Sequence, residues 1–284
     1  MREADSPLID VDWLAEHLDD PRVRVADVRW YLSGKRGADE YARGHIPGAV
    51  FLDLDRDLAA PPAQGPGRHP LPAAADFAQV LARIGIDRET TIVAYDDAGG
   101  SIAARLWWLL RYFGLDRGRV LDGGLGAWSR RGLPLSADTP AVTPAPPLAL
   151  TAGHAPVLDK AAIDALRSDP RAVILDARAR PRFEGQSEPV DARPGHIPGA
   201  RSAPFSENLA PEAGTLLPAK ALAERYRALG ALDAPRVACY CGSGVTACHD
   251  LLALAVLGRA DAALYEGSWS DWARDPKLPA ATGP

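Results

Sequence analysis

One cysteine in this chain stands where a thiol can do chemistry. The apolar run Val237 to Tyr240 leads into Cys241-Gly242-Ser243-Gly244-Val245-Thr246-Ala247, and near Val245 or Thr246 the sequence takes on the character of an apolar helix. Glycines at 242 and 244 let successive backbone N–H groups turn inward, and a helix starting here adds the positive end of its dipole. Such a ring of donors favours an anion. A cysteine held in it is expected to titrate as a thiolate, since reactive cysteines at helix N-termini have pKa values of roughly 3.5 to 7.5 against about 8.5 for the free thiol. The competing reading is a buried structural cysteine, a common place for free thiols. The strand, turn and helix around Cys241 favour the reactive one.

The elements that must hold this loop occur twice. Gly44-His45-Ile46-Pro47-Gly48-Ala49 recurs as Gly195-His196-Ile197-Pro198-Gly199-Ala200. Around it the same features follow in the same order. Val23 to Arg29 answers to Val173 to Arg178, each an apolar strand running into an acid. Thr91 to Asp97 answers to Arg236 to Cys241, Ser101 to Gly114 to Val245 to Gly258, and Asp122-Gly123 through Trp128 to Glu266-Gly267 through Trp272. The chain is one domain written twice: 1–133, then a Pro/Ala-rich linker over 134–156 without helical or strand period, then 157–284. Short apolar runs alternate with helical stretches at Ala75 to Ile84, Ser101 to Phe113 and Lys220 to Leu229. That pattern predicts an α/β fold in which each half is a parallel sheet with helices on both faces. Ligands of such sheets sit beyond the carboxyl ends of the strands, which is where Cys241 falls.

Composition narrows the function. The 284 residues are 47% hydrophobic and 24% charged with a net charge of -5, an ordinary globular balance that gives no support for nucleic-acid binding. The 3 cysteines all lie between 239 and 248 and cannot staple a fold of this size, which points to a reducing compartment. Without a second group of ligands they are not read as a metal site. The first residues, Met1 to Ser6, lack an apolar run, and no stretch approaches the roughly 20 apolar residues of a membrane span. The expectation is a cytoplasmic protein with neither membrane nor nucleic-acid partner.

With the thiol loop and the repeat in hand, the chain resembles the tandem rhodanese-domain sulfurtransferases from about Leu8 to Trp272. The doubled GHIPGA, the Asp/Glu-Gly…Trp closing each half and the CGSGVTA loop carry the resemblance. Members using 3-mercaptopyruvate look like Cys-Gly-Ser-Gly-Val-Thr-Ala, whereas thiosulfate-using members look basic after the cysteine. The resemblance therefore implies a first half without catalysis and a second that moves sulfur from 3-mercaptopyruvate, through a persulfide on Cys241, to a thiol such as thioredoxin or to cyanide, releasing pyruvate without a cofactor. Thiosulfate is the alternative donor. Carried over by position, Gly242, Ser243, Gly244, Val245 and Thr246 form the amide cradle. Arg182 grips the donor carboxylate, a task suited to its planar fork. Ser243, His69 and Asp55 match a proposed Ser-His-Asp relay, the last two written in the first half. A second substrate arginine is expected a few residues before the second GHIPGA, but Val190 and Asp191 stand there, which leaves Arg193 as the stand-in.

Two other classes compete. A cysteine phosphatase loop resembles Cys-x5-Arg, and the residue in the arginine's place is Ala247, so no cation closes that loop. A binding module without catalysis is the second. The first half already reads that way: Asp96-Asp97-Ala98-Gly99-Gly100 puts an acid where the nucleophile would be, and that acid is expected to repel an anion from the cradle. His45 and His196, present in both halves, are read as fixing a turn, Trp107, Trp108 and Cys248 as core, and Asp27 and Asp176 as anchors of loop backbone.

Overall fold

The structure, a computed structural model, describes residues 6–284, which form two compact units. The first runs through Ala60 and takes in Pro72–His154 and Ala210–Leu216; the second comprises Pro61–Leu71, Ala155–Leu209 and Leu217–Pro284. Two short segments thus leave the sequence order. Pro61–Leu71, with Arg68 and His69, is written in the first half but belongs to the second unit.

The first unit holds a parallel sheet of β1 (Leu8–Ile9), β2 (Val23–Asp27), β3 (Val50–Phe51), β4 (Thr91–Tyr95) and β5 (Gly118–Leu121), in the order β1-β5-β4-β2-β3. The second holds β6 (Val157–Leu158), β7 (Ala172–Asp176), β8 (Arg201–Ser202), β9 (Arg236–Tyr240) and β10 (Ala263–Tyr265), in the order β6-β10-β9-β7-β8. The two orders are the same order, so the duplication extends from motif to topology. Helices at Ala74–Arg83, Ala103–Tyr112 and Ala219–Ala228 lie within a residue or two of their expected places. The central strands β4 and β9 are almost wholly buried, as strands covered on both faces must be.

Each unit closes over its own core. Leu14, Val25, Ile46, Val93, Tyr95 and Trp128 pack together in the first; Ile163, Ile174, Ile197, Tyr240, Trp269 and Trp272 do so in the second. Local devices repeat as well. Asp10 and Asp159 each cap the helix that follows, accepting from Trp13 N at 2.7 Å and Ala162 N at 2.8 Å.

The repeated GHIPGA is held by a buried polar knot. In the second unit Arg178 Nη2 donates to Asp176 Oδ2 at 2.6 Å and to Gly195 O at 2.7 Å, while Ile197 N donates to Tyr240 Oη at 3.1 Å. Arg29, Asp27, Gly44, Ile46 and Tyr95 make the same bonds in the first. His45 stacks on Tyr41, and its Nδ1 lies 2.8 Å from Tyr41 O. His196 does likewise with Phe183, ring centroids 3.7 Å apart. The two histidines fix a turn, as their repetition implied. Breaking either buried Arg–Asp pair would cost about 3–5 kcal/mol, because one charge would be left uncompensated inside.

The segment over 134–156 is irregular but not loose. Ala145 N donates to Ala82 O at 2.9 Å and His154 N to Tyr112 O at 3.1 Å, so it runs along the first unit. Among the described residues no helix is long and apolar enough to cross a membrane.

Candidate active site

Cys241 follows the carboxyl end of β9 and is 2% exposed. Its peptide is pinned on both sides by one segment: Cys241 N donates to Ser268 Oγ at 3.1 Å, and Trp269 N donates to Cys241 O at 2.9 Å. Ser270 N then takes Gly242 O at 2.9 Å. Ser268 adopts φ 52°, a left-handed conformation rare outside glycine, while its hydroxyl donates to Tyr265 O at 3.0 Å. That strain costs on the order of 1–3 kcal/mol and sits directly behind the thiol.

The loop turns at Gly244, whose φ is 77°; a Cβ there would stand 2.6 Å from Glu266 O. Only glycine fits both constraints. The helix begins at Ala247, with Thr246 before it already in helical geometry. Cys248 N and His249 N close back on Val245 O and Thr246 O at 3.0 and 3.1 Å. Among the described residues, the amides of Ser243, Val245 and Thr246 have no protein acceptor. They are the candidate donors of the cradle expected from the sequence.

Two residues from Pro61–Leu71 complete this side of the second unit. His69 Nδ1 lies 2.7 Å from Ser243 Oγ, and both side chains are buried. Gly67 makes this approach feasible: at φ 72°, a Cβ on it would stand 2.5 Å from Gly267 O. The next residue, Arg68, donates its backbone N–H to Ser270 Oγ at 3.1 Å. Asp55 belongs to the first unit, in the short helix Leu54–Asp57, where Trp30 Nε1 donates to its Oδ2 at 3.0 Å.

The arginines divide differently from the sequence expectation. Arg182 faces the loop, its Nη1 3.5 Å from where a Cβ on Gly242 would be, but much of its fork is already engaged. Nη2 donates to Glu188 Oε1 at 2.6 Å and Asp191 Oδ2 at 3.1 Å, and Nε donates to Glu188 Oε2 at 3.2 Å. Arg193 does not replace the missing second arginine. Its guanidinium donates to the backbone carbonyls of Trp272, Ala273, Asp275 and Leu278 at 2.9 to 3.3 Å, and so ties down the segment after the last helix. Val190 is exposed. Sequence reasoning passed over Arg68, whose Nη1 pairs with Asp191 and whose Nη2 stands 2.9 Å from the same point above Gly242. It also passed over Ser268. No periodicity marks either: one is brought in by a segment that leaves its half, the other by a backbone angle.

The acids between these arginines are tuned by them. Burial alone would raise the Glu188 carboxyl, but hydrogen bonds from Arg182 and the Asp191 amide hold it below the usual range. Asp191 is pushed up by burial, with Arg68 opposing.

Comparison with known proteins identifies the family. The sequence matches the Rhodanese-like domain family over residues 10–131 and again over 159–275. The chain belongs to the rhodanese family. Among its relatives, a probable 3-mercaptopyruvate sulfurtransferase of Pseudomonas aeruginosa is 43% identical across 97% of this chain and 98% of its own. A putative thiosulfate sulfurtransferase, SseB, of Mycobacterium tuberculosis is 41% identical across 92% of this chain and 91% of its own. Among solved structures, the 3-mercaptopyruvate sulfurtransferase SseA of Escherichia coli superposes with a TM-score of 0.82 at 33% identity, covering 93% of this chain and 99% of that one.

Within this rhodanese chain the other two thiols are structural. Cys239 is fully buried in β9, and burial, with Asp250 beside it, pushes its thiol well above the ordinary range. Cys248 donates to Gly244 O at 3.3 Å and braces the loop from the helix. Among the described residues no group of three or more His, Cys, Asp or Glu could hold a metal ion. The first rhodanese domain corrects one expectation. Asp96, Cys241's counterpart, does not stand by and repel an anion; its own carboxylate fills the cradle. Oδ1 accepts from Ala98 N at 2.9 Å and Gly100 N at 2.8 Å, and Oδ2 from Ile102 N at 2.7 Å and Ala103 N at 2.9 Å.

Proposed function

We propose that the second domain transfers sulfur from 3-mercaptopyruvate through a persulfide on Cys241. The Cys241 thiolate attacks the donor sulfur, the bond between that sulfur and its carbon breaks, and the electron pair leaves with pyruvate as its enolate. The enolate takes up a proton at carbon and departs as pyruvate. The outer persulfide sulfur, cradled by the amides from Gly242 to Thr246, is then removed by a thiol acceptor such as thioredoxin, or by cyanide in an assay. No step needs a cofactor. We place the reaction in the cytoplasm, where reduced cysteines persist.

The Ser243–His69 contact at 2.7 Å carries the choice of donor. A departing enolate needs a proton, and a hydroxyl backed by an imidazole can supply one. Sulfite, which leaves when thiosulfate is the donor, departs as a stable anion and needs none. Thiosulfate remains the second reading because two guanidinium groups stand above Gly242 and would suit a compact dianion.

Cys241→Ser is expected to lower pyruvate release from 3-mercaptopyruvate by at least about 10⁴-fold, and only the wild type should gain the mass of one sulfur atom when treated with donor alone. Release at the wild-type rate would sink the assignment. A thiosulfate preference of tenfold or more in kcat/KM, worth about 1.4 kcal/mol of transition-state binding, would overturn the donor while leaving sulfur transfer intact.

A further inference from the structure

We propose that Arg68 is a substrate-binding residue: its guanidinium and that of Arg182 together form the carboxylate clamp of the donor site. The inference rests on the carboxylated donor named above. It begins with a shortage. Arg182 has committed Nη2 and Nε to Glu188 and Asp191, which leaves Nη1 as the nitrogen directed at the loop without an acid of its own. One such nitrogen cannot hold both oxygens of a carboxylate in the parallel two-bond geometry that fixes its orientation. A second cation is required, and Arg193 is committed to backbone carbonyls.

Arg68 meets the requirement. Its Nη2 and Arg182 Nη1 converge on one point, 2.9 and 3.5 Å from a notional Cβ on Gly242, the residue immediately after the thiol. Gly242 has no side chain, which is what lets the two guanidinium groups come this close to its backbone; a Cβ there would crowd Arg68 Nη2. Asp191 explains why like charges tolerate this closeness: its side chain is 4% exposed and pairs with both, its Oδ1 with Arg68 and its Oδ2 with Arg182. The position where the family resemblance implied an arginine therefore carries an acid that pairs with two arginines. Arg68 is in turn held by its backbone bond to Ser270 Oγ, next to the segment that pins Cys241. A carboxylate held between the two guanidinium groups would lie beside Gly242, the residue next to Cys241.

The test compares 3-mercaptopyruvate with 1-mercapto-2-propanone, which keeps the thiol and the ketone but lacks the carboxylate. Arg68→Ala should lower kcat/KM for 3-mercaptopyruvate by about 100-fold, mostly through KM, and change that for 1-mercapto-2-propanone by less than about threefold. Arg68→Lys should recover only part of the loss, since it restores charge without the fork. Inhibition by added pyruvate should weaken in step with KM. Equal losses on both donors would reduce Arg68 to a structural strut of the His69 segment, and no loss on either would remove it from the site; each result overturns the proposal. A wild-type protein that releases no pyruvate would instead overturn the donor, and thiosulfate turnover by Arg68→Ala, expected to fall at least about tenfold, would then decide the clamp.

Discussion

The two halves build the same anion cradle and fill it in opposite ways. After β4 the chain places Asp96, whose carboxylate collects four backbone N–H groups of its own loop and of the following helix, at 2.7 to 2.9 Å. After β9 it places Cys241, and amides of that loop are left for something else. The segment behind each loop follows suit. Gly124 has φ 52°, and any Cβ on it would collide with Asp96 O; Ser268, at the equivalent position with the same φ, carries a side chain whose hydroxyl accepts from Cys241 N. The first half shows what charge this loop prefers, and it has satisfied that preference permanently. In the second, the amides of Ser243, Val245 and Thr246 have no acceptor among the described residues, which is what the proposed persulfide on Cys241 would need.

The sharpest way to break the comparison is to exchange the solutions. Cys241→Asp should abolish sulfur transfer while keeping or raising the midpoint of thermal unfolding, because a carboxylate can fold back onto amides that now lack acceptors. Asp96→Ala should do the reverse: sulfur transfer persists, while stability falls by roughly 2–4 kcal/mol as buried N–H groups lose a charged acceptor. Paired denaturant titrations of the two variants read this directly. If Asp96→Ala cost nothing, the first cradle would be filled without being stabilised, and its value as a guide to the second would disappear.

Much of this contrast was legible in the sequence, and the part that was not has a physical reason. The doubled GHIPGA and the matching order of strands gave away the topology, because parallel strands of this kind are written as short apolar runs at repeated spacing. Cys241 and its glycines were readable because a turn that bares amides has to be made of small residues. Asp96 was visible as an acid but its behaviour was not, since whether a carboxylate repels an anion or replaces it depends on a χ angle. Arg68 lies more than a hundred residues from Cys241 and was hidden by distance in the chain. Arg193 misled for the opposite reason: it is near in sequence, yet its guanidinium turns to the backbone carbonyls between Trp272 and Leu278.

A milder exchange sharpens the role of the strained serine. Ser268→Gly gives the second half the residue of the first. It relieves a left-handed serine, which favours the variant, and removes the hydroxyl that takes Cys241 N, which does not, so stability should change by no more than about 1 kcal/mol. Turnover should fall about tenfold, carried by kcat, because the peptide of the nucleophile loses one of its two fixed points. Ser268→Ala keeps the strain without the hydroxyl and should lose both activity and stability. Equal kcat for Ser268→Gly and wild type would mean that Trp269 N alone positions the thiol.

The smallest effect concerns a group present only in the second half. Asp250 lies on the helix Ala247–Val256, wholly buried, where the first half has the apolar Leu106. Its Oδ1 accepts from Asn208 Nδ2 at 2.8 Å and Tyr226 Oη at 3.1 Å, while Oδ2 has no hydrogen-bond partner. Burial pushes this carboxyl from 3.8 up to about 7, against hydrogen bonds from Asn208 and Tyr226 that pull it down. A carboxyl raised on folding keeps its proton in the native state after the unfolded chain has released it, so the unfolded state binds fewer protons between about pH 4 and pH 7 and stability declines across that window. Its contribution is whole below the unfolded value and lost as pH rises through the folded one. Asp250→Asn should flatten that decline while leaving pyruvate release at pH 8 within about twofold of wild type, since the group touches neither Cys241 nor the clamp. Unfolding free energies of the two proteins measured at intervals from pH 4 to pH 8 check it, and parallel curves would show that Asp250 is ionised throughout and that its unpartnered oxygen is tolerated as a charge.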